Sequence, residues 1–230
     1  MAKILRVAKH IPNSMTLFNI AVGVAAIMFS MSHDYQQAAG LILVSVIVDS
    51  FDGYVARMLK STSRFGGYMD TVSDFLAFAM AASILMMNKY GVHPLVATLF
   101  VLASVTRLIY FMKTKNTTHF FGVPTTVAGG LLATIAIIDP NELPADMLTF
   151  GVTALMIVLS VLMLLKGTKY YRVEIKKRKT LTLMTAGFMS LFAINSRLFM
   201  YAILLMFIGY ITLGWLPVFR KKDMDSYIPE

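Results

Sequence analysis

The chain has 230 residues, of which 57% are hydrophobic and 14% are charged, and its mean hydropathy is +0.70. Ordinary soluble domains carry about 25% charged residues, so this composition excludes that class and predicts a membrane protein. The net charge is +9, but the basic residues lie mainly between apolar segments, which argues against nucleic acid as a partner. The absence of cysteine excludes disulfide and thiol chemistry.

Apolar windows of about 20 residues predict membrane-spanning helices. In chain order we predict eight, at residues 14–31, 35–59, 67–87, 93–112, 124–138, 148–165, 180–194 and 199–219. The last two also fit a re-entrant or interfacial pair. The predicted fold is an all-α, polytopic integral membrane protein with one domain over residues 1–230, a core at about 12–165 and extra C-terminal helices at about 180–219. We see no apolar leader ending in a cleavage site, so no removable signal peptide is expected.

The basic residues predict the orientation of these spans. Of the 21 Lys and Arg residues, all but Lys89 and Arg197 fall on the side of the membrane that also holds both termini. Cytoplasmic loops carry the excess of Lys and Arg. We therefore expect a multi-pass protein of the cell membrane with both termini in the cytoplasm.

Four aspartates lie within the second and third predicted spans. A charged side chain in the hydrocarbon costs roughly 2.5–3.5 kcal/mol on insertion scales, so each is a functional-site hypothesis. Residues three or four apart share a helix face, which places Asp49 with Asp52 and Asp70 with Asp74. Antiparallel packing of these faces would bring four carboxylates together. A set of oxygen ligands suits a hard cation such as Mg²⁺, Mn²⁺ or Ca²⁺.

Small residues and one arginine accompany these acids. Gly53, Ala56 and Gly66 remove side-chain bulk beside the carboxylates, which allows either a large ligand or a neighbouring helix to approach closely. Arg57 carries a forked donor group that suits a phosphate.

The pattern D-x2-D-G-x2-A-R-x8-G-x3-D-x3-D runs without departure from Asp49 to Asp74 and resembles the signature of the CDP-alcohol phosphotransferases. The resemblance implies a six-helix membrane core and transfer of a phosphatidyl-type group from a CDP-linked alcohol to a second alcohol, with release of CMP. It also implies two divalent cations, Mg²⁺ or Mn²⁺. Homodimers are common in the family, so a homodimer is a further implication.

The resemblance assigns a role to each motif residue. Asp49, Asp52 and Asp70 match the metal ligands, and Asp74 matches the catalytic general base, which also touches the second ion. The residues that match the binding surface for the CDP-lipid are Gly53, Ala56, Arg57 and Gly66. Direct transfer and transfer through a phosphatidyl-enzyme both stay open, since Asp can act as base or as nucleophile.

Two flanking segments resemble the phosphatidylserine synthase branch of the family. One is Pro-Asn-x2-Thr-x2-Asn, in which the resemblance implies that Asn13 and Thr16 contact the CDP-lipid; helix capping by these two residues is the alternative. The other is a Gly-x-Pro segment, after which Thr126 stands where the family often has a second Pro. The branch implies L-serine as the acceptor, and Arg107 is the candidate for its carboxylate; a snorkelling interfacial role for Arg107 is the alternative. The donor is CDP-diacylglycerol or CDP-archaeol, which apolar surfaces do not distinguish.

Two other functions remain open at this point. The first is the same transfer with inositol phosphate or glycerol phosphate as the acceptor. A phosphorylated acceptor would need several basic side chains, which Arg107, Lys113 and Lys115 could supply. A divalent-cation channel or transporter would account for the aspartates. It gives no reason for Arg57 beside a cation site or for the small residues between the acids.

Overall fold

A computed structural model describes residues 11–58, 64–113, 119–138, 144–165, 169–171 and 196–213. Within these residues the chain is almost entirely helical. The elements in chain order are α1 (Ile11–Met31), α2 (Tyr35–Met58), α3 (Arg64–Asp74), a π-helical segment (Phe75–Met80), α4 (Ala81–Tyr90), α5 (Pro94–Lys113), β1 (His119–Phe121), α6 (Thr125–Ile138), α7 (Ala145–Leu164), β2 (Lys169–Tyr171) and α8 (Ser196–Leu213).

The predicted all-α, polytopic class is confirmed. Four helical stretches are long and apolar enough to cross a membrane: Ser14–Met31, Phe65–Tyr90, Pro94–Lys113 and Ala145–Leu164. Helices α6 and α8 are apolar but shorter, and α2 carries the charges of the motif. The predicted span at 180–194 lies outside the described residues, so the count of eight stays a prediction. A feature that the sequence did not predict is the antiparallel pairing of β1 with β2.

Short connections reverse the chain between neighbouring helices. Asp34 caps α2, because its Oδ1 accepts a hydrogen bond from the backbone N–H of Gln37 at 3.4 Å. Helix α4 ends at Gly91, whose φ of +65° is the left-handed conformation that glycine adopts readily. Helix α5 then begins at Pro94, a residue suited to the first helical position. Helices α1 and α2 therefore run in opposite directions, and so do α4 and α5.

Helices α3 and α4, with the π-helical segment between them, form a continuous central rod. Helix α1 packs along all three parts of this rod, and α2, α5 and α6 also contact the π-helical segment. The side chains of Phe78, Leu85 and Met86 are fully buried there. The π-helical segment begins directly after Asp74, and such segments often occur at functional sites. The rod thus carries two of the motif aspartates up to the start of the π-helical segment.

Glycines allow two helices to approach the π-helical segment closely. A Cβ on Gly23 of α1 would lie 3.1 Å from the Cα of Ala77, and a Cβ on Gly129 of α6 would lie 2.8 Å from the Cβ and carbonyl oxygen of Phe78. Helices in membranes associate through such small residues. These approaches set how α1 and α6 lie against the rod.

Hydrogen bonds fix the end of the bundle away from the motif. Asn88 Nδ2 donates to the carbonyl oxygen of Ser30 at 3.1 Å, and the Tyr35 hydroxyl donates to the carbonyl oxygen of Asn88 at 2.8 Å. Lys89 Nζ donates to the carbonyl oxygen of Ala136 at 2.7 Å. These bonds join the ends of α1, α4 and α6 to the start of α2. The motif aspartates lie toward the opposite end.

Candidate functional site

Three of the four predicted aspartates converge between α2 and α3. Asp49, Asp70 and Asp74 each offer a carboxylate oxygen, and these oxygens lie within 4.8 Å of one another. The spacing of four between Asp70 and Asp74 places both on the α3 face toward Asp49. Asp70 and Asp52 repel both Asp49 and Asp74, and Asp49 and Asp74 also share a side-chain hydrogen bond. Because carboxylates this close are costly in a low-dielectric interior unless paired, the arrangement favours a bound cation.

Asp52 occupies a different position from the other three. It is buried, and its Oδ2 accepts a hydrogen bond from Thr16 Oγ1 at 3.3 Å. It is not part of the group whose oxygens converge within 4.8 Å. The bond joins α2 to α1 beside the cluster and brings together two residues that the sequence had assigned to metal and CDP-lipid. Both assignments stay predictions.

The donor groups around the cluster fit a metal ion. All three converging ligands are carboxylates, which suit hard divalent cations. Asp74 Oδ1 is buried and has no hydrogen-bond partner among the described residues. An oxygen left in this state can accept a cation without giving up another bond. The cluster of Asp49, Asp70 and Asp74 can therefore hold a metal ion.

A threonine on α6 contacts the cluster from a third helix. Thr126 Oγ1 donates a long hydrogen bond of 3.5 Å to Asp49 Oδ2. The sequence treated Thr126 only as a departure from the second Pro of the family pattern. A proline has no side-chain donor, so the departure supplies a contact that the usual residue cannot make.

Arg107 of α5 lies beside the cluster. Its Nη1 donates to Oγ1 of the fully buried Thr125 at 3.1 Å. Its Nε is buried without a hydrogen-bond partner among the described residues. The guanidinium interacts electrostatically with Asp74 and with Tyr210 of α8. The residue predicted to bind the acceptor thus lies near the predicted base. The sequence analysis did not identify Tyr210, because it is one of several tyrosines in apolar segments and nothing in its local sequence distinguishes it.

The other predicted CDP-lipid residues lie near the same end of the bundle. Gly53, Ala56 and Arg57 are on the last turns of α2, and Gly66 is on the first turn of α3. Asn13 is on the first turn of α1. The side chains of Asn13, Ala56 and Arg57 lie outside the described part of the chain, so their roles stay predictions.

Comparison with known proteins matches this site to a family. The model of the CDP-alcohol phosphatidyltransferase family matches residues 9–153, a range that contains the aspartates, Thr126 and Arg107. Helix α8, with Tyr210, lies outside the matched range.

Curated relatives have serine-specific names. The chain is 32% identical over 136 residues to CDP-diacylglycerol–serine O-phosphatidyltransferase of Helicobacter pylori, which covers 56% of this chain and 57% of that protein. It is 33% identical over 132 residues to the protein of the same name from Methanocaldococcus jannaschii, covering 56% and 59%. It is 31% identical over 159 residues to archaetidylserine synthase of Methanothermobacter thermautotrophicus, covering 64% and 66%. The chain thus spans less than two thirds of the length of these relatives.

Proposed function

The chain belongs to the CDP-alcohol phosphatidyltransferase family, and we propose that it transfers a phosphatidyl or archaetidyl group from a CDP-linked lipid to the hydroxyl of L-serine, releasing CMP. The observation that carries this proposal is the convergence of Asp49, Asp70 and Asp74 within the family motif. The names of the relatives support serine as the acceptor. CDP-diacylglycerol and CDP-archaeol are both candidate donors.

The acidic residues would hold two divalent cations, Mg²⁺ or Mn²⁺. Asp49, Asp70 and Asp74 offer the converging oxygens, and Asp52 lies beside them on α2. When bound, such cations neutralise pyrophosphate charge and stabilise a departing phosphate oxygen. The chain contributes the fixed positions of the carboxylates, which the rod and α2 hold in place.

Asp74 is the proposed general base. The serine hydroxyl attacks the lipid-side phosphorus of the donor, the bond from that phosphorus to the CMP oxygen breaks, and CMP leaves with the bonding electrons. The hydroxyl proton must be removed in this step, and the carboxylate of Asp74 can take it. Its position among the converging oxygens and its electrostatic interaction with Arg107 support this role.

Arg107 is the proposed binding residue for the serine carboxylate. A guanidinium forms two parallel hydrogen bonds with a carboxylate. Arg107 is held by Thr125 and still has a buried Nε without a partner among the described residues. Its electrostatic interaction with Asp74 supports a location where the bound hydroxyl reaches the base. A single arginine suits an amino acid better than a phosphorylated alcohol, which needs more positive charge.

The site is proposed to face the cytoplasm, in a multi-pass protein of the cell membrane. The distribution of Lys and Arg supports this orientation. The chain has no cysteine, so a single introduced cysteine reports its own side of the membrane. Lys113→Cys at the site end should react with an impermeant thiol reagent only in inside-out vesicles, and Ser32→Cys at the other end only in right-side-out vesicles. The reverse pattern would overturn the orientation.

The activity is tested by CMP release from the purified protein in detergent. Each of CDP-diacylglycerol and CDP-archaeol is supplied with Mn²⁺ or Mg²⁺, and serine, inositol phosphate and glycerol phosphate are offered in parallel. The expected result is release that requires serine and stops when the cation is chelated. CMP release with only a phosphorylated acceptor would overturn the proposal that serine is the acceptor, and with it the role of Arg107. Cation-independent release would overturn the role of the aspartates.

A further inference from the structure

Asn19 of α1 is a buried polar residue whose amide is not satisfied. Its side chain is 0% exposed, and neither Oδ1 nor Nδ2 has a hydrogen-bond partner among the described residues. Some other buried polar side chains are satisfied within their own helix: the hydroxyls of Ser104, Thr134 and Ser160 each donate to the carbonyl oxygen four residues earlier. The single hydroxyls of Ser45, Ser73 and Ser83 also lack a partner among the described residues, whereas Asn19 leaves both a donor and an acceptor unpaired. An unpaired amide in a membrane interior destabilises the fold. Asn19 therefore calls for a functional explanation.

The packing of α1 places Asn19 at the depth of the acidic cluster. The hydrogen bond from Thr16 to Asp52 fixes α1 against α2, which runs in the opposite direction. Asn19 lies three residues beyond Thr16, and Asp49 lies three residues before Asp52. Three residues correspond to about 4.5 Å along a helix axis, and in antiparallel helices both offsets point the same way from the hydrogen bond between Thr16 and Asp52. Asn19 and Asp49 are therefore at the same depth.

The contact between α1 and the central rod gives the same depth for Asp74. Gly23 of α1 lies against Ala77 of the rod, and the two elements run in the same direction. Asn19 is four residues before Gly23, and Asp74 is three residues before Ala77, so the two residues differ in depth by only about 1.5 Å. Thr16, Asn19 and Gly23 share one helix face, so the amide is directed to the side of α1 that meets α2 and the rod.

Two buried and unpartnered groups thus lie at one depth, the amide of Asn19 and the Oδ1 of Asp74. An amide carbonyl oxygen is a ligand for hard cations, as carboxylate oxygens are. We propose that Asn19 is a further ligand of the divalent cation, contributed by α1 to the cluster of Asp49, Asp70 and Asp74. The inference rests on the cation of the proposed function. It gives α1 a part in metal binding that neither the motif nor its spacing assigns.

The test combines two measurements on the purified full chain in detergent. Mn²⁺ affinity is measured by electron paramagnetic resonance, and thermal unfolding is measured in EDTA. Asn19→Leu keeps the side-chain volume and removes both polar atoms. We expect Mn²⁺ to bind about 10- to 100-fold more weakly, the range found when residues supporting a metal site are removed. We also expect a higher unfolding temperature in EDTA, because an unsatisfied polar group has been removed.

Ser83 provides a matched control. It is 3% exposed, its Oγ has no hydrogen-bond partner among the described residues, and it lies on α4 away from the acidic cluster. Ser83→Ala should raise the unfolding temperature in EDTA without changing Mn²⁺ affinity. A residue with a purely structural role would behave in the same way as Ser83.

The outcomes separate this inference from the proposed function. Unchanged Mn²⁺ affinity in Asn19→Leu overturns the inference and leaves the cation site in place. No Mn²⁺ binding by the wild type overturns both. If Asn19→Leu does not fold, Asn19→Asp decides: it keeps a ligand oxygen, so it should bind Mn²⁺ at least as tightly as the wild type. Weaker binding by that variant counts against the inference.

Discussion

Gly129→Ala tests whether the close contact between α6 and the π-helical segment holds the site together. The added methyl carbon would lie 2.8 Å from the Cβ and the carbonyl oxygen of Phe78 and 2.9 Å from its Cα. Carbon atoms in favourable contact are about 3.5–4.0 Å apart. The two elements would have to separate by about 0.7 Å, and the atoms in the way belong mainly to backbone. Overpacking of this kind costs about 1–3 kcal/mol.

The same displacement would reach the acidic cluster. Thr126, which donates to Asp49, is three residues before Gly129 on the same face of α6. Asp74 is one turn before Phe78 on the rod. Moving α6 away from the π-helical segment therefore separates Thr126 from Asp49 and shifts the helix that carries Asp74. We expect Gly129→Ala to lower both the unfolding temperature and the affinity for Mn²⁺.

The assay compares Gly129→Ala with Gly151→Ala by thermal unfolding in detergent and by CMP release against Mn²⁺ concentration. Gly151 is exposed on α7, and a Cβ there meets nothing within 4 Å. An alanine in an exposed helix interior stabilises by roughly 0.5–1 kcal/mol relative to glycine, so the two variants should differ in sign. A Gly129→Ala protein as stable and as active as wild type would refute the reasoning.

Three further substitutions test individual side chains. Asp74→Asn should abolish CMP release while the unfolding temperature stays near that of the wild type; wild-type turnover would remove Asp74 from its role as base. Thr126→Val keeps the shape and removes the donor to the cluster, so the Mn²⁺ concentration for half-maximal release should rise about 2- to 10-fold; no change would make the 3.5 Å bond irrelevant. Tyr210→Phe removes a hydroxyl near Arg107, so KM for serine should rise about 2- to 10-fold at unchanged kcat. Tyr201→Phe, 49% exposed on the same helix, is the control, and equal effects of both substitutions would contradict a specific role.

The sequence predicted which residues could meet but not how each helix is rotated. A spacing of three or four places Asp49 with Asp52, and Asp70 with Asp74, whatever surrounds the helices. Packing decides which side chain of each pair faces which neighbour. It leaves Asp52 bonded to Thr16 of α1 while the other three converge. Periodicity within one helix contains no information about that choice.

The π-helical segment shows a second limit of prediction. Its residues, Phe75–Met80, are apolar and have no turn or capping signal. The local hydropathy is the same for an α-helix and for a π-helix, so the pattern predicted one uninterrupted span. The residues that contact the segment most closely are distant in sequence: Gly129 lies nearer to it than a side chain would allow, and a side chain at Gly23 would be tightly packed against it. The close neighbours of the segment therefore come from two distant helices, which its local sequence does not reveal.

The two ends of the bundle differ in how their polar groups are satisfied, and this difference separates folding from function. At one end the side chains of Asn88 and Lys89 donate to backbone carbonyls of neighbouring helices. At the other end the described residues leave atoms of Asn19, Asp74 and Arg107 buried without partners. Contacts within the chain stabilise the first end. A bound cation and substrate would supply interactions to the unpartnered atoms of the second, so their binding should stabilise the fold by mass action, about 2.7 kcal/mol at a ligand concentration of 100 Kd.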